Sequence, residues 1–219
     1  MATRQLLTEL AALWQSSSGV EVCIESVGGV DAARRVQAGE AFDGVVLASD
    51  AIEKLIAGGQ ALAGSRHDLV RSSVAMAVRM GAPLPDIRTE AALRSAIESA
   101  PTIGYSTGPS GVALVKLFER WGMLDALSPR IVQAPAGMPV GALVARGDVM
   151  LGFQQLSELI HLEGISVVGT LPEAAGITTT FSAATCAAST QQEALAKFFA
   201  FMAAAESNPV KQKHGMQPA

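Results

Sequence analysis

The sequence predicts an α/β fold of mostly parallel strands covered by helices, and three observations predict it. Short apolar runs alternate with segments of helical periodicity along nearly the whole chain, and parallel neighbours require crossover connections of that kind. Apolar residues make up 49% of the 219 residues and charged residues 16%, so there is ample Ala, Val and Leu to bury and intrinsic disorder is excluded. The net charge is −4, from 16 Lys and Arg against 20 Asp and Glu. A nucleic-acid binder needs a concentrated basic footprint, so that class is excluded as well.

The elements follow in order. Leu6, Leu7, Leu10, Leu13 and Trp14 recur at helical spacing after Thr3, a candidate N-cap, and this helix stops by Gly19. Val20, Val22 and Ile24 alternate with Glu21, Cys23 and Glu25 as in a strand, followed by Gly28-Gly29 and a helix over 31–37. Val45 to Ala48 reads as a buried strand, and Asp50 with Glu53 three residues on predicts a capping box for the next helix. Val74 to Val78 is a further strand, Thr89 to Ser99 a helix, and Ile103 to Tyr105 a short strand running into a loop at Ser106 to Gly111. The helix after it is expected to turn Val112, Val115, Leu117, Phe118 and Trp121 inward. Strands at 131–132, 149–153, 165–168 and 177–184 then alternate with helices at 140–145, from Gln155, and at 191–202.

Ala82-Pro83-Leu84-Pro85-Asp86 breaks both element types and is the strongest boundary signal. With a return crossing near Ile177 to Thr185, it divides the chain into a discontinuous first lobe, 1–78 plus 185–219, and a second lobe, 79–184. No run of about 18 apolar residues exists, so no membrane span is expected. The first residues lack the basic start and apolar run of a secretory signal, which reads as cytoplasmic. Cys23 and Cys186 lie in apolar runs and are expected as buried, reduced core residues.

In an open parallel sheet, ligands bind beyond the carboxyl ends of the strands, where the following helices begin. Four such junctions stand out: Gly28-Gly29-Val30-Asp31, Ala48-Ser49-Asp50, Ser106 to Gly111, and Phe153-Gln154-Gln155. Ser106 to Gly111 is the most informative, because Ser106, Thr107 and Ser110 bring three hydroxyls, and Gly108 and Gly111 two glycines, to a helix start with free N–H groups. That is an anion cradle; the alternative is that Ser110 caps its helix and Gly108-Pro109 makes a turn. Gly28 and Gly29 suit close backbone approach or an ordinary turn, and Asp31 reads as an N-cap before it reads as a base. Gly108-Pro109-Ser110-Gly111-Val112 nearly matches the nucleophile elbow but has Val112 where the second glycine belongs. His67, His161 and His214 have no partners at metal spacing, and neither a P-loop nor a Rossmann fingerprint occurs, so no metal and no cofactor is expected.

Several stretches carry a resemblance: Gly28 to Val36, Phe42 to Asp50, Arg66 to Val74, Ile103 to Ser106, Ser110 to Val112, Pro139 to Gly147, and above all Gly152-Phe153-Gln154-Gln155-Leu156-Ser157-Glu158-Leu159. On these the chain resembles type 2 periplasmic substrate-binding proteins of the molybdate-binding-like kind, in the branch that includes aconitate isomerase. The resemblance implies two lobes joined by two crossing segments, an anion held in the cleft between them, and a periplasmic location. By position it implies that Gly28, Gly29, Ser49, Ser106, Thr107, Ser110, Gly111, Val140, Gln154 and Gln155 bind the ligand. Gly29-Val30 stands where molybdate binders resemble one another in having serines, which points away from molybdate. The resemblance also implies a strand and a hydroxyl-bearing loop before the first helix, so the first lobe is expected to lack its first strand.

Two functions are therefore expected in competition. One is binding of a small carboxylate or oxyanion, as the substrate-binding component of an ABC-type transporter whose permease would be the partner of a monomeric protein. The other is an aconitate isomerase-like enzyme that shifts a double bond in an unsaturated tricarboxylate. Its base would come from Tyr105, Asp31, Ser106 or Ser110, between which the sequence does not choose.

Overall fold

The computed structural model describes residues 1–219, which divide into two units: Met1–Ser72 with Thr179–Ala219, and Ser73–Thr178. In chain order the elements are α1 (Arg4–Ser18), α2 (Gly29–Gln37), β1 (Gly44–Ala48), α3 (Ser49–Ala57), β2 (His67–Arg79), α4 (Glu90–Ser99), β3 (Ile103–Tyr105) and α5 (Pro109–Arg120). They continue with α6 (Leu124–Leu127), β4 (Ile131–Gln133), α7 (Val140–Arg146), β5 (Leu151–Gln155), α8 (Leu156–Leu159) and β6 (Ile165–Thr170). The last are β7 (Thr178–Thr185), α9 (Gln192–Ala203), α10 (Asn208–Lys213) and β8 (Gln217–Pro218). The chain passes between units inside β2 and at the start of β7, and Pro83 and Pro85 lie within the second unit.

The sheets are mixed rather than mostly parallel. β3 pairs parallel with β4 and with β5, whereas β1–β7, β2–β5, β2–β6 and β2–β8 are antiparallel. The reason is topological: β2 and β7 run against the strands that feed helices, and each serves as their neighbour.

In the first unit, α1 buries Leu6, Leu7, Leu10 and Ala11 against Phe198, Phe199 and Met202 of α9, as its spacing predicts. Val45 and Leu47 of β1 pack with Val36 of α2 and with Ile52 and Leu55 of α3. The expected strand at 20–24 does not form. Gly19 to Gly28 runs as irregular chain with Val20 and Ile24 exposed, because an alternating sequence becomes a strand only where a ladder partner exists; β1 is paired to β7 alone. Cys23 is accordingly exposed, not buried as expected. Cys186 is buried, and burial first, then the Asp43 carboxylate, pushes its thiol up to about 11. The capping box also fails: α3 starts directly at Ser49 behind the strand, so Asp50 sits inside the first turn and Glu53 pairs instead with Arg66.

Arg66 also grips Asp68, whose Oδ1 accepts from Ser182 Oγ at 2.6 Å. Arg66 first, and Ser182 after it, hold the Asp68 carboxyl below the usual range against the opposing effect of burial. A carboxyl lowered in the folded state stabilises above its unfolded pKa of about 3.9, and that contribution is lost as pH falls through the folded value. Because the Asp68 side chain is 43% exposed, screening reduces the effect, and Asp68→Asn is expected to cost about 0.5–1 kcal/mol at pH 7. Urea titrations of both proteins should show the difference at neutral pH and its loss as the pH falls through the lowered Asp68 value; a difference independent of pH overturns this account.

In the second unit, alternation along β2 sends Val74, Met76 and Val78 to one face and Ala75 and Ala77 to the other. The larger residues pack under α4 and α5 with Leu93, Ile97, Leu114 and Phe118. The small ones lie under α7. There Gly104 and Gly152 let the helix seat directly on the sheet, since a Cβ on Gly152 would meet Val144 Cγ2 at 2.4 Å and one on Gly104 would meet Val140 Cγ1 at 3.0 Å.

Candidate functional site

Parallel register lines up the carboxyl ends of β5, β3 and β4 in the second unit. Tyr105 is opposite Gln133 on one side and Phe153 on the other, so Ser106, Ala134 and Gln154 are the next residues of adjacent strands. The Ala134 N–H donates to Tyr105 O at 2.8 Å, closing the β3–β4 end.

The Ser106 loop turns immediately into α5. Gly108 is the N-cap in extended backbone and Pro109 opens the helix, with no side chain capping it. Ser110 is therefore not the cap; its Oγ lies 3.0 Å from Ser106 Oγ, and the residue is only 4% exposed. The N–H groups of Gly111 and Val112 donate to Gly108 O. No backbone acceptor meets the N–H of Thr107, Gly108 or Ser110. Gly111 is where loop and helix touch: a Cβ there would stand 1.7 Å from Ser106 O. Val112 is exposed rather than inward, and Leu114 takes the core position expected of it. The junction thus gathers two paired hydroxyls and three N–H groups without a backbone acceptor at the positive end of a twelve-residue helix, which favours a negatively charged guest.

Val140 and Gln154, two of the residues the resemblance implies, meet each other. Val140 is fully buried, and its N–H donates to Gln154 Oε1 at 2.8 Å, so this amide is tied to a protein side chain. Gln154 is 4% exposed, and Gln155 is buried as the N-cap of α8. Burial pushes the Glu158 carboxyl up, against a smaller downward pull from the Gln154 side chain. Sequence reasoning passed over Glu158, although its spacing of four from Gln154 within the Gly152 to Leu159 octad was the available signal.

In the first unit, Gly28-Gly29 and Ala48-Ser49 come together beside β1: a Cβ on Gly29 would lie 3.8 Å from Leu47 Cδ2, and Ser49 opens the helix after that strand. Neither α2 nor α3 has a side-chain cap. Asp31 lies within α2 and makes an exposed ion pair with Arg34 at 2.7 Å. Tyr105 is partly buried at the end of β3. No group of three or more His, Cys, Asp or Glu side chains is arranged to hold a metal, and His214 is engaged with Glu9 at 2.8 Å. No helix is long and apolar enough to cross a membrane.

The chain is similar to proteins already described. An aconitate isomerase from Pseudomonas sp is 37% identical over 218 residues, covering 97% of this chain and 83% of the relative. The periplasmic molybdate-binding protein of Azotobacter vinelandii has the same fold, with a TM-score of 0.81 at 21% identity over 98% of this chain and 95% of its own. A tungstate-binding protein from Desulfovibrio alaskensis follows, with a TM-score of 0.71 at 16% identity over 98% and 93% of the two chains. The family described as bacterial extracellular solute-binding protein matches residues 1–217, and the chain belongs to it.

Proposed function

We propose that this protein binds a small organic anion bearing carboxylates, seated on the Ser106 to Gly111 junction, as the substrate-binding component of an ABC-type transporter. The observation that carries the reading is the Ser106–Ser110 hydroxyl pair, 3.0 Å apart at the uncapped start of α5. Hydrogen bonds to a charged group are worth about 1.5–3 kcal/mol each. Two hydroxyls with two or three amides therefore suffice for a micromolar site of about −8.2 kcal/mol, even after ordering costs. A carboxylate suits the site better than a tetrahedral oxyanion because exposed Val112 follows the cradle on α5 and offers apolar contact to a carbon skeleton.

Calorimetric titration with trans-aconitate, citrate, molybdate and sulfate tests this. Saturable binding of the carboxylates at micromolar concentration, with molybdate and sulfate at least tenfold weaker, is the expected result. Tighter binding of molybdate reverses the ligand class, and no heat with any of the four removes the reading.

A second reading is favoured by the 37% identical relative named aconitate isomerase. The same cradle would hold the developing enolate while a base moves a proton between carbons of an unsaturated tricarboxylate. Tyr105, Ser106 and Ser110 are the candidate groups at the junction. A spectrophotometric assay on cis- and trans-aconitate separates the two: turnover establishes the isomerase, and saturable binding without conversion establishes a binding protein.

A further inference from the structure

Two consecutive residues at the end of α10 close on one carboxylate of α1. Lys213 Nζ donates to both oxygens of Glu9 at 2.9 Å, and His214 Nε2 lies 2.8 Å from Glu9 Oε2; a carboxylate only accepts, so the ring nitrogen is the donor. Beyond them Gly215, at φ +70°, turns the chain. The Met216 N–H donates to Lys211 O at 3.0 Å, and the Met216 side chain is fully buried in one cluster with Leu6, Leu10 and Met202. β8 then pairs with Val70 and Arg71 of β2, and Arg71 Nε donates to Pro218 O at 3.2 Å. Residues 211–218 thus run as one strap from α1 to β2.

We infer that Glu9 is the latch of this strap: neutralising its carboxylate lets residues 211–218 lift as a unit and bares the β2 edge at Val70 and Arg71, while the rest of the first unit stays folded. A strand edge so bared can pair with another strand. The grip is electrostatic. Lys213 first, and His214 after it, hold the Glu9 carboxyl below the usual range against the opposing effect of burial. A carboxyl lowered in the folded state stabilises above its unfolded pKa of about 4.3 and loses that contribution as pH falls through the folded value, so the strap is held at neutral pH and released in acid. The other charged groups on the elements packed around Glu9 are Arg4 of α1 and Glu206 of the turn at 205–207, both exposed; Glu193 and Lys197 of α9, paired with each other at 2.7 Å; Arg71 of β2, which holds Pro218 O; and Lys211 of α10, 1% exposed. Because the Lys213 side chain is 61% exposed and that of Glu9 32%, solvent screens the grip, and the closed-to-open ratio is expected to fall by about tenfold rather than more.

Hydrogen exchange of the full chain, read by nuclear magnetic resonance as protection factors, tests this without any ligand. The Met216 amide reports the strap, and the Leu62 amide, bonded to Thr185 O at 2.9 Å, reports the rest of the first unit. In Glu9→Gln the Met216 protection is expected to fall about tenfold, with Leu62 as in the wild type. Acidifying the wild type from about pH 6 through the lowered Glu9 value should reduce Met216 protection by a similar factor, and the glutamine variant should show no such step. Lys213→Met keeps the Glu9–His214 bond and should lose about threefold; it gives the same readout should Glu9→Gln not fold. Met216 and Leu62 changing in parallel would mean that the unit opens as a whole, and overturns the inference. So does unchanged Met216 protection in Glu9→Gln, or an acid step that survives in that variant, which would place the switch on another group such as Glu206.

Discussion

Gly111→Ala is expected to abolish measurable anion binding and to lower the unfolding free energy by about 1–3 kcal/mol, the usual cost of forcing an extra carbon into a filled space. The added Cβ would stand 1.7 Å from Ser106 O, 2.8 Å from Ser106 C and 3.1 Å from Tyr105 Cδ2. The first two are backbone atoms, which cannot rotate aside, so the whole Ser106 loop has to move off α5. Alanine is the better helix former by roughly 1 kcal/mol, and that gain opposes the clash without removing it. Moving the loop separates Ser106 from Ser110 and displaces the N–H groups around them, so binding should suffer more than stability. Gly108→Ala is the control: its nearest neighbour would be Ser106 Oγ at 3.9 Å, and stability should stay within about 0.5 kcal/mol of wild type. Thermal unfolding and calorimetry with trans-aconitate measure both. A Gly111→Ala protein that binds like the wild type would mean that loop and helix are not pressed together as described.

How much of this was legible in the sequence depended on whether the deciding contact was local. Helical spacing located α1, α4 and α9 because each buries one stripe; Thr89, read as the first helical residue, is instead the cap of α4, accepting from Ala92 N–H at 3.1 Å. The Ser106 junction was legible for the same reason: a strand, a loop of hydroxyls and glycines, and a helix follow within a few residues. Segment 20–24 was misread because its alternation is local while strand formation is not; no neighbour completes its ladder. The sense of the sheets was misread because β2 and β7 pair with strands far away in sequence. Val112 was put on the wrong face since α5 begins at Pro109, in the first turn, where the register of the buried stripe is set by Ser110 and Leu114. The Gln154–Val140 bond joins residues fourteen apart, and only the seating of α7 on Gly104 and Gly152 brings them together. That bond ties two of the expected ligand contacts to each other, which no spacing rule foretells.

The double variant Ser106→Ala, Ser110→Ala should weaken trans-aconitate binding at least tenfold, about 1.4 kcal/mol, while leaving a residual site. The hydroxyls are 3.0 Å apart, so at any moment one proton is spent within the pair and the other is free to point at a ligand. Removing either serine breaks the pair, and the survivor must reorganise before it serves a guest. Each single variant is therefore expected to lose a factor of about five to ten, and the double variant less than the product of the two, as coupled neighbours do. The N–H groups of Thr107, Gly108 and Ser110 persist in all three proteins, which is why binding falls without vanishing. Stability should hardly change, because alanine in place of Ser110 improves helix propensity by a few tenths of a kcal/mol and offsets the lost internal bond. Calorimetry on the four proteins completes the cycle. Wild-type affinity in the double variant would show that the anion sits elsewhere, and strictly multiplicative losses would show that the two hydroxyls act on the ligand independently rather than as a pair.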